Sequence, residues 1–364
     1  MTGRIVVFGA TGYTGRLTAE SLVSRGASPV LAGRSADRLK RLADELGGGE
    51  TRVADAAEPS SVRDLVERGD VLVATVGPFA RVGTPAVEAA IGAGAVYLDS
   101  TGEPSFIRTV FERHGPLAER AGAALVTAFG YDFVPGNVAG ATVLREAGTA
   151  AVSIDIGYFL LGPPAGSGGT KASLAGSIGE PMFAWRGGRL VDERPARHVR
   201  AFTVQGRRRP AISIAGSEAF ALPRLAPGLR EVKVYLGWFG PMARPIQAAS
   251  LGMAAVVKIP GVKPLLGRAG GLVSASTGGP TASERERTRS FVVAVARDGA
   301  GAVLAEARLE GPNPYTFTGD VLAWGAMQAA ESGVRGTGAL GPVDAFGLDE
   351  LLAGCAEAGL TPVG

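Results

Sequence analysis

The chain is short of the residues on which disulfide, metal and membrane chemistry depend. Its 364 residues include one cysteine and two histidines. The lone Cys355 cannot close an internal disulfide, which suits a reducing compartment. It falls in an amphipathic C-terminal segment, where a packed thiol is expected and a nucleophile is not. His114 belongs to an expected surface helix and His198 to an expected strand. Neither has metal-ligand spacing to another His or Cys, so no metal site is expected. Long apolar runs are also missing. The most apolar stretch, Pro245 to Val262, carries Lys258 and breaks at Pro260, short of the roughly 18 to 20 uninterrupted apolar residues of a membrane span. A helix buried against the second domain or a twin subunit is expected there, a membrane-surface helix being the other reading. The first strand pattern starts at Ile5, which leaves no room for a secretory signal and makes a cytoplasmic location the expectation.

Charge of one sign is not concentrated. The formal net charge is +3, and basic residues alternate with acidic ones, so a nucleic-acid partner is not expected. The runs Arg207-Arg208-Arg209 and Arg285, Arg287, Arg289 read as a turn and the edge of a strand. Several catalytic signatures are absent. There is no Gly-x-Ser-x-Gly and no phosphate-loop lysine, which argues against hydrolase and nucleotide-triphosphatase chemistry. Tyr131, Tyr158 and Tyr235 all lack a lysine four residues later, which argues against a short-chain ketoreductase.

Glycine is plentiful, at 55 residues, and in one place its spacing carries information. The apolar run Ile5 to Phe8 is followed by Gly9, Gly12 and Gly15 and then by the helical pattern "RLTAESLVSRG". A continuously apolar strand, a glycine turn and a helix in that order form the start of a dinucleotide-binding unit. Gly9 allows the turn, Gly12 lets the main chain approach a pyrophosphate, and Gly15 lets helix and strand pack closely. The helix N-terminus supplies amides and a positive dipole end. Further strands follow in "SPVLAGRS", "TRVAD", "DVLVATVGPF", "AVYLDSTGE" and "AALVTAF", with a helix from about Pro59 to Glu67 after the third. The fold class is therefore α/β, with a Rossmann-type doubly wound parallel sheet whose ligand sits at the carboxyl ends of the strands. Strand two ends in Arg34 and Ser35, with Arg38 one turn on, where an NAD-type site would have an Asp or Glu. That favours NADP(H).

Taken together, GATGYTG, "LAGRS", "VGPF", "YLDSTGE" and "GYDFVPGN" resemble the saccharopine dehydrogenase-like reductases, and within them the bacterial trans-acting enoyl reductase group. The likeness is dense over Arg4 to Gly140 and thinner at "GSGGTKASL", "PYTFTGDVLAWGAMQAAE" and "GALGPVDAFG". It implies a Rossmann domain (1–135), a second, mixed-sheet α/β domain for substrate and oligomerisation (136–311), and C-terminal helices (312–364) that return to the first domain. The sequence agrees in alternating strands such as "VSIDIGYFL", in the hairpin signal "RDGAG", and in Gly-, Pro- and Ser-rich loops at 162–169 and 277–283.

The cofactor-binding residues are expected to be Gly9, Thr11, Gly12, Tyr13, Thr14, Gly15, Arg34, Ser35, Asp55, Val76, Gly77, Pro78, Phe79 and Gly102. The nicotinamide cofactor does the redox chemistry and the protein supplies orientation and a proton donor. Tyr131 and Asp132 are the candidates for that donor, with Lys171 and Tyr158 reaching in from the second domain. Reduction of a C=C bond in an apolar polyketide- or lipid-like molecule is the leading reading. An imine (C=N) reductase acting on an amino-acid-like substrate is the second, with Lys171, Arg186 and Arg200 available to a carboxylate. A cofactor-binding scaffold or sensor without turnover is the third. A homo-oligomer, and contact with a membrane surface or carrier protein, complete the expectations.

Overall fold

The computed structural model describes residues 3–162, 182–256 and 278–363, the side chains of 253–256 excepted. Lys171 and the motif "GSGGTKASL" lie outside the described residues, as does the loop 162–169 beyond Gly162. The chain divides into two compact units. The first runs to Val134 and resumes over Pro314–Gly359, and the second holds most of the chain between.

The first unit is built on β1 (Ile5–Phe8), β2 (Val30–Gly33), β3 (Thr51–Val53), β4 (Val71–Ala74), β5 (Val96–Asp99) and β6 (Ala124–Val126). The sequences IVVF of β1, VLAG of β2 and VLVA of β4 are wholly buried, as strands covered on both faces must be. In contrast, all three residues of β3 are exposed, and it closes one edge of the sheet with Arg52 outward. The connecting helices are α1 (Tyr13–Ser24), α2 (Ala36–Glu45), α3 (Pro59–Arg63), α4 (Phe79–Val82), α5 (Thr84–Ala93), α6 (Pro104–Thr109) and α7 (Gly115–Ala121). All pairings are parallel, in the order β6-β5-β4-β1-β2-β3. This is the doubly wound order of dinucleotide-binding sheets. At the foot of the sheet the buried Asp70 accepts from the Arg4 backbone N–H at 3.0 Å and pairs with its guanidinium at 2.6 Å, tying the starts of β1 and β4 together.

Two details differ from the sequence reading. The helix expected to reach Glu67 stops at Arg63. His114, expected at the surface, is buried at the end of a π turn, Val110–His114, between α6 and α7. One extra residue in a helical turn rotates the facing of all later residues by about 100°.

The C-terminal segment returns as expected and also adds a strand. Gly338–Ala339 pairs in parallel with β6 and makes the sheet seven-stranded. The helix Pro314–Ser332 packs along α1, with Ser21 Oγ donating to Asp320 Oδ1 at 2.7 Å. Cys355 is buried in the last helix, Leu348–Glu357, and burial pushes its thiol well above the ordinary range.

The second unit begins with α8 (Val134–Ala147) and contains a mixed sheet of β7 (Ser153–Leu161), β8 (Met182–Arg186), β9 (Arg189–Glu193), β10 (Val199–Val204), β11 (Arg207–Ile214), β12 (Glu231–Leu236), β13 (Arg289–Arg297) and β14 (Val303–Gly311). Its central strand, β7, runs parallel to β12 and antiparallel to β13. Phe159, Phe202, Tyr235 and Phe291 form the core of one face, together with Val204, Val293 and Val295. The "RDGAG" turn joins β13 to β14, with Asp298 Oδ1 accepting from the amides of Ala300 and Ala302. The apolar stretch near residue 250 forms the helix Ala243–Val256. Residues 257–262 of that stretch, and the side chains of 253–256, lie outside the described residues. Ala243 and Ile246 pack against Ala196 and Ile212, whereas Leu251 is 60% exposed. Among the described residues no helix is long and apolar enough to cross a membrane.

The contact between α1 and the returning helix depends on Gly319, where a Cβ would stand 2.9 Å from Leu17 Cβ and 3.1 Å from its carbonyl carbon. Gly319→Ala should lower stability by about 1–3 kcal/mol through overpacking. Urea denaturation of the variant checks this, and an unchanged midpoint would mean that the helices separate freely.

Candidate functional site

The site is built on the carboxyl ends of the parallel strands in the first unit, beginning with the turn after β1. Gly9 takes a φ of +93°, open to glycine and strained for other residues. Its amide and that of Ala10 donate to the Ala32 carbonyl on β2, at 2.9 and 3.1 Å. Its carbonyl accepts from the Gly12 amide at 2.8 Å and from Thr75 Oγ1 at 3.2 Å. A Cβ on Gly15 would stand 2.2 Å from that same oxygen. Gly12 is the N-cap of α1, so no side chain caps the helix, and its first turn contains no acidic residue. The amides at Tyr13, Thr14 and Gly15 therefore face a position suited to an anion.

Beside this turn, a Cβ on Gly33 would lie 3.8 Å from Thr11 Oγ1, which brings the end of β2 to the glycine loop. Arg34 and Arg38 follow, both exposed and neither in an ion pair among the described residues. Ser35 is the N-cap of α2 and accepts from the Arg38 amide at 3.4 Å. Asp55 ends the β3 segment in a turn, its Oδ1 accepting from the Ala57 amide at 3.0 Å.

The strand ends on the other side of β1 are held by buried carboxylates. Asp99, the last residue of β5, accepts from the Thr101 and Ala128 amides, each at 2.9 Å, and from Thr127 Oγ1 at 2.7 Å. Burial raises its carboxyl to about 6 against these bonds, which act the other way. Glu103 bridges to β4's terminal turn, taking the amides of Phe79 and Ala80 at 2.9 Å each. Val76, Gly77, Pro78 and Phe79 form that turn. Neither carboxylate belongs to the expected site residues. For Asp99 the sequence signal was an acidic residue ending an otherwise apolar strand, which must find donors once buried.

Asp132 lies in the loop after β6, and a Cβ on Gly102 would stand 2.7 Å from its Oδ2. The residue is half-buried, and desolvation raises its carboxyl to about 6. Its neighbour Tyr131 has the opposite character. It is 2% exposed, its ring meets Phe317 edge-on at 6.3 Å, and its amide donates to Thr318 Oγ1 at 3.0 Å. Tyr131 is thus a core side chain of the first unit, and Asp132 is the more accessible of the expected pair. In the second unit Tyr158 is also enclosed, its hydroxyl accepting from the Gly136 amide at 2.8 Å and donating to Glu218 at 2.6 Å. Arg200 pairs with Asp155 and lies 5.0 Å over the Phe202 ring, and Arg186 pairs with Glu193 at 2.6 Å, so both have partners within their own sheet. Lys171 lies outside the described residues. Among those residues no cluster of three His, Cys, Asp or Glu side chains suits a metal ion.

A family model described as NAD(P)H-binding matches residues 9–99, the stretch from the glycine turn to the end of β5. The chain carries a nicotinamide-dinucleotide-binding region. The trans-acting enoyl reductases of Mycobacterium leprae and Mycobacterium ulcerans are 40% and 39% identical over 140 residues, which cover 37% of this chain. The matched stretch spans about a third of the length of these curated relatives, 34% in each. Over its whole length the chain superposes on saccharopine dehydrogenase (L-Glu forming) of Saccharomyces cerevisiae with a TM-score of 0.60 at 13% identity, covering 100% of both chains. The fold is that of saccharopine dehydrogenase. Both likenesses agree with the resemblance read from the motifs.

The raised Asp132 carboxyl has a consequence for stability. The folded protein holds this proton up to about pH 6 and the unfolded chain releases it near 3.8. Between those values the folded state binds more protons, so stability falls as pH rises. Asp132→Asn should match the parent near pH 4 and exceed it by about 1–2 kcal/mol at pH 7, allowing for solvent screening. Urea midpoints at the two pH values test this, and a gap that stays constant would contradict it.

Proposed function

We propose that the protein is an NADPH-dependent oxidoreductase that reduces a C=C bond of an apolar, polyketide- or lipid-like small molecule. The observation that carries the reading is Asp132. It stands in the loop after β6 with its Oδ2 beside Gly102, where burial raises its carboxyl toward neutrality, in the unit whose first turn suits a pyrophosphate. The partial match to trans-acting enoyl reductases supports the C=C assignment.

In this reading the amides of α1's first turn hold the pyrophosphate, Asp55 and the end of β2 flank the adenosine side, and Val76 to Phe79 with Gly102 flank the nicotinamide. Bound NADPH supplies the hydride. Asp132 holds the matching proton on its carboxyl group, at a pKa near enough to neutral that it can donate and be reprotonated by solvent. Residues 1–135 and 312–364 hold the cofactor, and 136–311 take the substrate and make the homo-oligomer. Phe239, Met242 and Leu251 are exposed in the second unit, and contact with a carrier protein or membrane surface is assigned to that unit. The single buried cysteine suits the cytoplasm.

The second reading is C=N reduction, favoured by the fold match to a saccharopine dehydrogenase. NADPH consumption with α,β-unsaturated thioesters and, separately, with amine plus oxo-acid pairs decides between the two. Turnover on thioesters alone supports C=C reduction, turnover on the imine-forming pairs supports the second reading, and cofactor binding without turnover on either supports a scaffold.

Cofactor choice is tested independently. Arg34 can give a 2′-phosphate charge-assisted hydrogen bonds of roughly 1.5–3 kcal/mol. Arg34→Ala should weaken NADPH binding about ten- to a hundredfold and leave NADH nearly unchanged. Calorimetry with both cofactors reads this out, and a parent protein that prefers NADH would overturn the NADP(H) assignment.

A further inference from the structure

Glu103 has more structure around it than an ordinary helix cap. The carboxylate is 5% exposed and spans two consecutive amides, Oε1 accepting from Phe79 and Oε2 from Ala80, each at 2.9 Å. Its own backbone is fixed at both ends. The amide donates to Thr101 Oγ1 at 3.1 Å, and the carbonyl accepts from the Ile107 amide at 3.0 Å as α6 begins. The Phe79 ring rests on Phe106 of the same helix at 5.5 Å, and a Cβ on Gly83 would come within 2.7 Å of the Phe106 ring. Glu103 is therefore a rigid strut from the end of β5 to the turn that ends β4.

That turn is placed by the sheet. β4 is the neighbour of β1, in the register Phe8 with Ala74, so Val76 to Phe79 emerge beside the glycine turn. They do so on the side away from β2, where Arg34 stands. Pro78 has no N–H to anchor the turn, and the two bonds to Glu103 begin at the next residue. In this strand order the adenosine lies toward β2 and the other half of the dinucleotide lies beyond β1. Glu103 thus supports the wall of one half of the site only.

We propose that Glu103 is a positioning residue for the nicotinamide half of the cofactor, acting through the Val76–Phe79 turn. This rests on the dinucleotide reading above. In Glu103→Gln the amide nitrogen replaces one acceptor, so one of the two backbone N–H groups faces a donor and the turn loosens.

The test separates the two halves of the ligand. The parent, Glu103→Gln, Glu103→Asp and Arg34→Ala are titrated calorimetrically with NADPH and with 2′-phospho-ADP-ribose, which lacks the nicotinamide. Circular dichroism and urea midpoints are measured on each. Glu103→Gln is expected to weaken NADPH about tenfold, equivalent to about 1.4 kcal/mol, and to change the fragment less than about twofold. Arg34→Ala is expected to weaken both ligands. Glu103→Asp keeps the charge but is one methylene too short to span both amides, and should show the same split in smaller degree. It also serves if the Gln variant does not fold. Equal loss of both ligands would make Glu103 a support of the whole unit and overturn the inference, as would unchanged binding of both. A parent that binds neither ligand would instead overturn the dinucleotide reading itself.

Discussion

One carbonyl oxygen, that of Gly9, organises the start of this structure. It accepts the Gly12 amide and the Thr75 hydroxyl, and it occupies the space where Gly15 would otherwise carry a Cβ. A methyl group there would push α1 off the end of β1 and turn its first amides away. The glycine spacing is thus a packing requirement before it is a binding one. The remaining strand ends assemble around this turn, with β2 joined through Ala32 and β4 through Thr75.

On the other side of the sheet, carboxylates take over from glycines. Asp99, Glu103 and Asp132 lie in or after β5 and β6, and differ in how far their negative charge is matched. Glu103 accepts two amides and Asp99 accepts three donors. Burial raises the Asp99 and Asp132 carboxyls alike to about 6, but at Asp99 the donated hydrogen bonds act against it, whereas at Asp132 burial is the one cause. A carboxyl group that is neither tightly bonded nor fully hydrated can exchange a proton near neutral pH. The two well-bonded groups hold loops in place, which keeps the third where it is.

Much of this was legible in the residues because the signals were local. The glycine turn, the continuously apolar strands and the doubly wound order follow from patterns only a few residues wide. The strand Gly338–Ala339 did not announce itself, since two residues carry no periodicity and its partner, β6, is distant in sequence. Burial of Tyr131 depends on Phe317 and Thr318, again far along the chain. The inward turn of His114 arises from one π turn that no composition predicts. Asp99 ends an apolar strand, but Thr127 and Ala128, which donate to it, lie on another loop, as do the Phe79 and Ala80 amides that Glu103 takes. Long-range pairing was the part that the sequence could not convey.

The first unit is discontinuous, and this bears on how the protein is made. On the ribosome the six N-terminal strands emerge long before the helix Pro314–Ser332 and the last strand of the sheet. Until then the face of α1 that this helix covers has no partner, and β6 is an open edge. The nascent chain must therefore wait for its own C-terminal region before the nucleotide-binding unit is complete. A fragment cut to residues 9–99, the span matched by the family model, would lack both elements, so the unit of sequence similarity is smaller than the unit of folding.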